Sequence, residues 1–290
     1  MSKAARTRAR TAQAKIAAQR EHDRRIQARR RVLIAAGSVI AVVAVVGALI
    51  LVRLARPTAK AGPARLDSNV ARQVSTVPAA VFDRVGAGSA TGLRAISGQA
   101  LSVGGKPELL YMGGEFCPYC AAERWAIAAA VSRFGTLSGL RFIHSSPTDA
   151  YPDTPTLSFS RATFTSRYLS FVPVEWFGEA TDPSTPFGHV YLQHPTPQQA
   201  RLFARYSGGA IPFVDIGNRY VAPQAQYLPS TLAGMTWAQV AAAMRDPASP
   251  VGRNIDGAAN MITAAICAVT HGRPGNVCHS AAVTAARGSI

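Results

Sequence analysis

The apolar residues of this chain follow three patterns from the amino to the carboxyl end. Val32–Val52 is a run of twenty-one residues without a charge, which as a helix at about 1.5 Å per residue would match the roughly 30 Å core of a bilayer. Asn69–Val85 carries a valine at about every fourth position, and this spacing predicts a helix that Pro78 interrupts. In the rest of the chain, strand-like and helix-like runs alternate. The chain therefore divides into a transmembrane helix over 32–54, a linker or stalk over 55–100 that includes the interrupted helix, and a folded domain over 101–285.

The beginning of the folded domain predicts a strand, a helix and a second strand. Lys106–Met112 is a strand-like run, Tyr119–Phe134 is rich in strong helix formers, and Leu140–His144 is again strand-like. A crossover of this length joins parallel strands. We therefore expect the two strands to pair in parallel as one βαβ unit.

The remainder of the domain predicts a mixture of strands and helices. Ser145–Pro155 is rich in Ser, Pro, Thr and Asp and is typical of a loop. The later elements are predicted strands over Thr156–Ser160 and Thr165–Val174, a helix over Pro195–Tyr206, a hairpin of Phe213–Ile216 and Arg219–Val221, a helix over Thr236–Met244 with Thr236 as its N-cap, and a helix from Pro250 to about Val269. The fold class is therefore α/β, preceded by one transmembrane helix.

Charge is concentrated at the amino end. Residues 1–31 hold eleven Lys or Arg and two acidic residues. They therefore supply more than half of the chain's formal net charge of +16. By the positive-inside rule, residues 1–31 form a basic cytoplasmic tail of a single-pass protein in the cell (inner) membrane, and the part after the span is extracytoplasmic. Disulfides persist in that compartment. A cleaved signal peptide is the competing interpretation, since Ala59-Lys60-Ala61 resembles a cleavage site, but the apolar core is too long for one.

The basic tail has two candidate partners. A basic arm can neutralise the phosphates of a nucleic acid without being folded. The same charge would also hold the tail on the cytoplasmic side of the membrane and attract anionic lipid, and neither effect needs a further ligand. We therefore expect the lipid bilayer as a partner and no nucleic acid.

The most informative chemistry is the sequence Cys117-Pro118-Tyr119-Cys120, placed where a strand-like run gives way to a helix-like one. At a helix start, unpaired N–H groups and the positive end of the dipole favour a thiolate, so Cys117 is expected to be a nucleophile at neutral pH. Cys120 lies on the same face of the first turn, close enough to close a disulfide ring. The pair therefore predicts thiol–disulfide exchange. An inert structural disulfide and a zinc site are the alternatives, but a proline between the cysteines and an immediate helix are poor for zinc. We expect no metal and no cofactor.

A second signal follows about ninety positions later, at Ile211-Pro212. Pro212 stands at the first position of a predicted strand, where a proline is tolerated and is frequently cis. The strand returns through the tight turn Gly217-Asn218.

The other two cysteines, Cys267 and Cys278, are eleven positions apart and flank a turn-forming segment. In an oxidising compartment they predict a structural disulfide worth about 3 kcal/mol. A second redox pair that relays electrons to Cys117 and Cys120, and a zinc site that includes His271 and His279, are the alternatives.

These motifs together resemble the thioredoxin superfamily, and the extended segment Phe116–Trp125 with Ser145–Asp149 resembles the membrane-anchored family catalogued as domain of unknown function 929, over about residues 70–285. The resemblance implies a thioredoxin-like fold with an insertion over about 147–207, between the Cys-x-x-Cys helix and the cis-proline hairpin, as in the DsbA-type oxidoreductases. It also implies roles: Cys117 attacks, Cys120 resolves and Pro212 faces them, while Pro118, Tyr119 and the backbone around Ile211 contact the substrate chain.

One position departs from the thioredoxin pattern. Thioredoxin-type reductases keep a buried acid on the strand before the motif, and Tyr111 occupies the matching position. Glu115 or Glu123 could take the place of that acid, but we expect both to be surface residues. The sequence thus predicts a membrane-anchored extracytoplasmic thiol–disulfide oxidoreductase, an oxidase or isomerase rather than a reductase. Its expected partners are secreted or membrane protein thiols and a membrane redox protein. A non-catalytic, membrane-anchored scaffold of the same fold is the alternative.

Overall fold

The computed structural model describes residues 68–290. The predicted tail over 1–31, the predicted span over 32–54 and the first part of the linker lie outside the described residues. Within residues 68–290, none of the helices combines the length and apolar composition that crossing a bilayer requires.

The described chain is a mixed α/β structure. Its α-helices are α1 (Ser68–Ser75), α2 (Ala79–Val85), α3 (Pro118–Ser132), α4 (Pro197–Tyr206), α5 (Trp237–Ala243), α6 (Pro250–Val269), α7 (Gly275–Cys278) and α8 (Ala281–Arg287), with a 3-10 turn at Pro229–Leu232. Its strands are β1 (Arg94–Ala95), β2 (Ser102–Val103), β3 (Lys106–Gly114), β4 (Thr136–Ser138), β5 (Arg141–His144), β6 (Pro155–Ser158), β7 (Thr163–Thr165), β8 (Ser170–Thr181), β9 (His189–Tyr191), β10 (Phe213–Ile216) and β11 (Tyr220–Ala222).

Strand β3 lies in the middle of a seven-stranded mixed sheet with the order β1-β11-β10-β3-β8-β9, and β2 pairs with the start of β3. Strand β10 runs antiparallel to β3, with Phe213 opposite Met112. Strand β8 runs parallel to β3, with Val174 opposite Met112. Residues 108–114 of β3 are all buried, because helices cover the sheet on both faces. This explains why β3 is apolar without alternation.

The predicted βαβ pairing is wrong. Strand β5 pairs antiparallel with β6 in a separate two-stranded sheet, and the parallel neighbour of β3 is β8. The crossover rule states that strands on either side of a helix run parallel when they pair, but it does not choose the partner. Strand β8, at twelve residues, is long enough to match β3, whereas β5 has four. Strand β8 also begins later than the predicted Thr165–Val174 and lies inside the segment interpreted as an insertion.

Several helix boundaries were predictable because their signals are local. The proline interruption is confirmed, since α1 ends at Ser75 and Pro78 is the N-cap of α2. Thr236 caps α5 by accepting the Gln239 N–H, and Ser249 caps α6 by accepting the Gly252 N–H. The main core lies between the sheet and helices α3 and α6, and a smaller cluster around Leu110 and Phe213 lies on the opposite face under α4.

Candidate functional site

The two cysteines of the Cys-Pro-Tyr-Cys segment lie at the start of α3, directly after β3 ends at Gly114. Cys117 is the N-cap of α3, and its Sγ accepts the backbone N–H of Cys120 at 3.3 Å. Pro118 occupies the first helical position, where no N–H is needed. Both thiols are free, with Cys117 6% exposed and Cys120 fully buried. Cys117 is therefore the more exposed of these two cysteines.

The surroundings separate the acidities of the two thiols. A side-chain hydrogen bond from Cys120, opposed by burial, lowers the pKa of Cys117 below its usual value. Burial raises the pKa of Cys120 well above its usual value, and the hydrogen bond to Cys117 adds to that increase. Chemically, Cys117 is the thiol that is ready to act as a thiolate, and Cys120 keeps its proton.

The loop before β10 supplies the opposite wall of the site. The Cys117 thiol donates to the carbonyl oxygen of Ile211 across 3.9 Å. The Ile211–Pro212 peptide bond is cis, as the sequence predicted. The register of the sheet explains this proximity, because Phe213 at the start of β10 pairs with Met112 near the end of β3.

Beneath the cysteines, Tyr111 and Gly113 form a close contact. A Cβ at Gly113 would lie 2.1 Å from the Tyr111 hydroxyl oxygen and 3.1 Å from the Cys120 Sγ. The tyrosine hydroxyl and the Cys120 sulfur therefore meet against the backbone of Gly113. Burial raises the pKa of Tyr111 well above its usual value, so the hydroxyl is protonated at neutral pH. In the part of the chain that the structure describes, this hydroxyl has no hydrogen-bond partner.

One helical turn past Cys120, a buried ion pair supports the site. Arg124 donates from Nε to Glu175 Oε1 at 2.8 Å and from Nη2 to Glu175 Oε2 at 2.7 Å. Its Nη2 also donates to the carbonyl oxygen of Gly114 at 2.7 Å. Both side chains are fully buried. The guanidinium charge adds to the lowering of the Cys117 pKa and partly offsets the rise in the Cys120 pKa. Arg124 thus ties the end of β3, the start of α3 and strand β8 together under the cysteines.

The comparison with known families adds to this geometry. A family profile described as "Domain of unknown function (DUF929)" matches residues 93–268. The chain belongs to the DUF929 family. The matched region includes Cys117, Cys120, Pro212 and Cys267. No curated protein and no solved structure matched the chain.

Within the DUF929 region, the expectation that Glu115 and Glu123 are surface residues is wrong. Glu115 is 5% exposed and accepts from Ser158 and, at 3.2 Å, from Ser160. Glu123 is fully buried and accepts the Gln226 N–H at 2.9 Å. Charged residues on a helix are normally exposed, but the small alanines around Glu123 let α3 be buried on all sides. Both carboxylates thus contact partners other than the thiols.

The aromatic wall of the site was not predicted from the sequence. Phe116 stacks on His189 with ring centroids 3.8 Å apart, and Phe177 packs against Phe187 at 5.0 Å. Tyr119 is 37% exposed and packs edge-on against Tyr151. The aromatic residues come from segments far apart in the sequence, so only the sheet topology brings them to Cys117. The substrate-contacting roles assigned to Pro118, Tyr119 and Ile211 remain predictions.

The second cysteine pair lies elsewhere in the DUF929 protein. Cys267 and Cys278 are bonded to each other and connect the end of α6 to α7. They are thereby unavailable as the zinc ligands considered above. In the described residues, no group of three or more His, Cys, Asp or Glu side chains is arranged to hold a metal ion.

Proposed function

We propose that this chain is a membrane-anchored, extracytoplasmic thiol–disulfide oxidoreductase that acts through Cys117 and Cys120. One observation carries the proposal: two free thiols share a helix start, with the pKa of the outer one lowered by hydrogen bonding and that of the inner one raised by burial. A purely structural pair would need no such division of acidity.

The geometry supports a two-step exchange. The Cys117 thiolate attacks one sulfur of a substrate disulfide, the substrate S–S bond breaks, and the leaving sulfur takes up a proton. The Cys120 thiol then loses its proton and attacks the Cys117 sulfur of the mixed disulfide. This releases the second substrate thiol and leaves a Cys117–Cys120 disulfide, so two electrons pass to the substrate. In isomerisation, a thiol of the substrate itself resolves the mixed disulfide.

The proposed direction is oxidation or isomerisation. A lowered pKa of Cys117 stabilises the reduced form of the pair and makes its disulfide a stronger oxidant. Oxidation runs the same steps in reverse: two substrate thiols lose two electrons and two protons, and Cys117 and Cys120 become thiols. Repeated turnover then requires a membrane protein that carries a reducible disulfide as electron acceptor.

The proposed fold is thioredoxin-like. Its support is the succession of central strand β3, the cysteines at the start of α3, and the hairpin β10–β11 opened by Pro212 beside Cys117. The proposed location rests on the sequence, from the basic tail over 1–31 and the apolar run Val32–Val52. Secreted or membrane protein thiols are then the substrates, since they share that compartment.

A mixed-disulfide trap tests the proposal. In living cells, the full chain carrying Cys120→Ser should accumulate disulfide-linked partners through Cys117, because the resolving thiol is missing. The purified Cys117→Ser chain should lose activity in refolding of a scrambled disulfide substrate, with a fall of more than about a hundredfold expected for loss of a nucleophile.

Ser132→Ala, which lies at the other end of α3, is the matched control and should keep wild-type activity. If Cys117→Ser retains full activity and Cys120→Ser traps nothing, the redox proposal is overturned.

A further inference from the structure

A basic cavity lies at the end of β3 opposite to the cysteines. It has a volume of about 880 Å³. Its lining of nitrogen-bearing side chains comes from the start of β3, the loop before β8, the β10–β11 turn and the loop after α6. These side chains are Lys106, Arg167, Arg219, His271 and Arg273. Two tyrosines, Tyr168 and Tyr220, also line it.

Among the described residues, no carboxylate compensates the positive charges of this cavity. None of the lining residues in that part of the chain is Asp or Glu. Across residues 68–290, neither the lysine nor any of the three arginines forms an ion pair with a carboxylate. Lys106 Nζ donates to the carbonyl oxygen of Ser166 at 3.0 Å, and the Arg167 guanidinium lies 6.0 Å from the ring centroid of Tyr168. Four like charges facing one concavity raise its positive potential, which attracts anions.

The cavity wall is held in place covalently. The disulfide Cys267–Cys278 closes the loop that carries His271 and Arg273. Inside this loop the Thr270 hydroxyl donates to the carbonyl oxygen of Arg273 at 2.7 Å. The backbone that carries His271 and Arg273 is therefore positioned before any ligand arrives, which reduces the entropy lost on binding.

We propose that this cavity binds a ligand that carries two or more phosphate-type negative charges. Arginine is suited to such a ligand because its planar fork of donors matches phosphate oxygens in pairs. The cavity volume is in the range of small-molecule sites and exceeds what a single inorganic anion fills. The shared chemistry is that of a phosphate ester, supplied either by a soluble phosphorylated compound or by a phospholipid headgroup. This binding site is separate from the cysteine pair and does not depend on the proposed redox function.

Pyrophosphate is the probe for the test. Titration calorimetry on the full chain should show binding that weakens as salt is added, because the contacts are ionic. Arg219→Gln combined with Arg273→Gln should weaken the affinity for pyrophosphate by about tenfold or more. The matched control, Arg201→Gln combined with Arg253→Gln, removes the same charge from exposed positions outside the cavity and should bind as the wild type does. Circular dichroism on both pairs checks that they are folded.

Sedimentation with vesicles distinguishes the two sources. The wild type, the cavity pair (Arg219→Gln with Arg273→Gln) and the control pair (Arg201→Gln with Arg253→Gln) all keep the basic tail. Their sedimentation is compared with phosphatidylcholine vesicles that contain or lack phosphatidylglycerol. If less of the cavity pair than of the control pair sediments with the phosphatidylglycerol vesicles, a lipid headgroup is supported. Equal sedimentation, with pyrophosphate binding lost only in the cavity pair, supports a soluble ligand. If pyrophosphate binds equally to both pairs, or not at all to the wild type, the proposal is overturned.

Discussion

At the scale of single residues, Gly113 and Tyr111 determine how closely the backbone can approach the inner thiol. Only a glycine fits at position 113 without a shift of its neighbours, because a Cβ there would overlap the Tyr111 hydroxyl and crowd the Cys120 sulfur. Burial keeps the Tyr111 hydroxyl protonated at neutral pH. The hydroxyl has no hydrogen-bond partner in the described residues, and because it is protonated it cannot accept a proton from Cys120.

Gly113→Ala should destabilise the protein by about 1–3 kcal/mol, because the added methyl group overpacks the contact with Tyr111. Urea unfolding of the full chain measures the change. Gly275→Ala is the control, since the nearest atom to its added Cβ would be at an ordinary 3.6 Å. Equal stability of Gly113→Ala and the wild type would contradict the contact described for Tyr111 and Cys120.

Tyr111→Phe should leave the free energy of unfolding unchanged or raise it by about 1 kcal/mol. The hydroxyl is buried without a hydrogen-bond partner in the described structure, and removing such a group relieves its desolvation cost. The same urea experiment decides the matter. A clear loss of stability would mean that the hydroxyl has a partner after all.

At the scale of elements, the junction of β3, α3 and β8 is fixed by Arg124 and Glu175. Local signals predicted the start of α3, because an N-cap and a proline act within a few residues. The ion pair could not be predicted in this way. Its members are fifty-one positions apart, and a charged residue in a helix is usually exposed. The same limit explains the wrong βαβ pairing, since strand partners are chosen by contacts distant in the sequence.

Glu175→Gln should cost about 3–5 kcal/mol, because it leaves the Arg124 charge buried and unpaired. The double replacement Arg124→Met with Glu175→Gln should cost less than the single one. Urea unfolding of these two variants and of the single variant Arg124→Met gives the coupling between the two residues. Additive losses would show that the pair does not act as a unit.

Arg124→Met should also raise the pKa of Cys117, since a neighbouring positive charge is lost. Thiolate absorbance against pH measures this, with Arg141→Met as a half-exposed control on β5. An unchanged titration would remove Arg124 from the electrostatics of the site.

At the scale of the whole molecule, the interface of α3 with α6 buries two carboxyl groups. Burial raises the pKa of Glu123 to about 7 and that of Asp256 to about 8. Burial also raises the pKa of Tyr227 well above normal, and the Glu123 and Asp256 carboxyls nearby add to that rise. The Arg133 charge partly offsets the rise in the Asp256 pKa. Both carboxyls hold their protons more tightly in the folded chain than in the unfolded chain.

Stability should therefore fall with rising pH. A raised folded-state pKa contributes stability that is fully present below the unfolded values near 4 and is lost as pH rises through about 7 to 8. Between about pH 5 and 7 the unfolded chain has lost both protons and the folded chain keeps them, so the expected loss is about 1.4 kcal/mol per pH unit for each carboxyl. Asp256→Asn should make the free energy of unfolding depend less steeply on pH. The control is Asp246→Asn, at an exposed position, which should leave the pH dependence unchanged. Thermal unfolding from pH 5 to about 8 provides the measurement, and a stability that increases with pH would contradict the assignment.

The two cysteine pairs are kept apart by the length of β3. Cys117 follows its last residue, Gly114, whereas the end of α6 next to Cys267 shares the basic cavity with Lys106 at its first residue. Eight steps of strand correspond to roughly 25 Å, and exchange requires two sulfurs to touch. The folded domain thus keeps the Cys267–Cys278 disulfide out of reach of the Cys117 and Cys120 thiols.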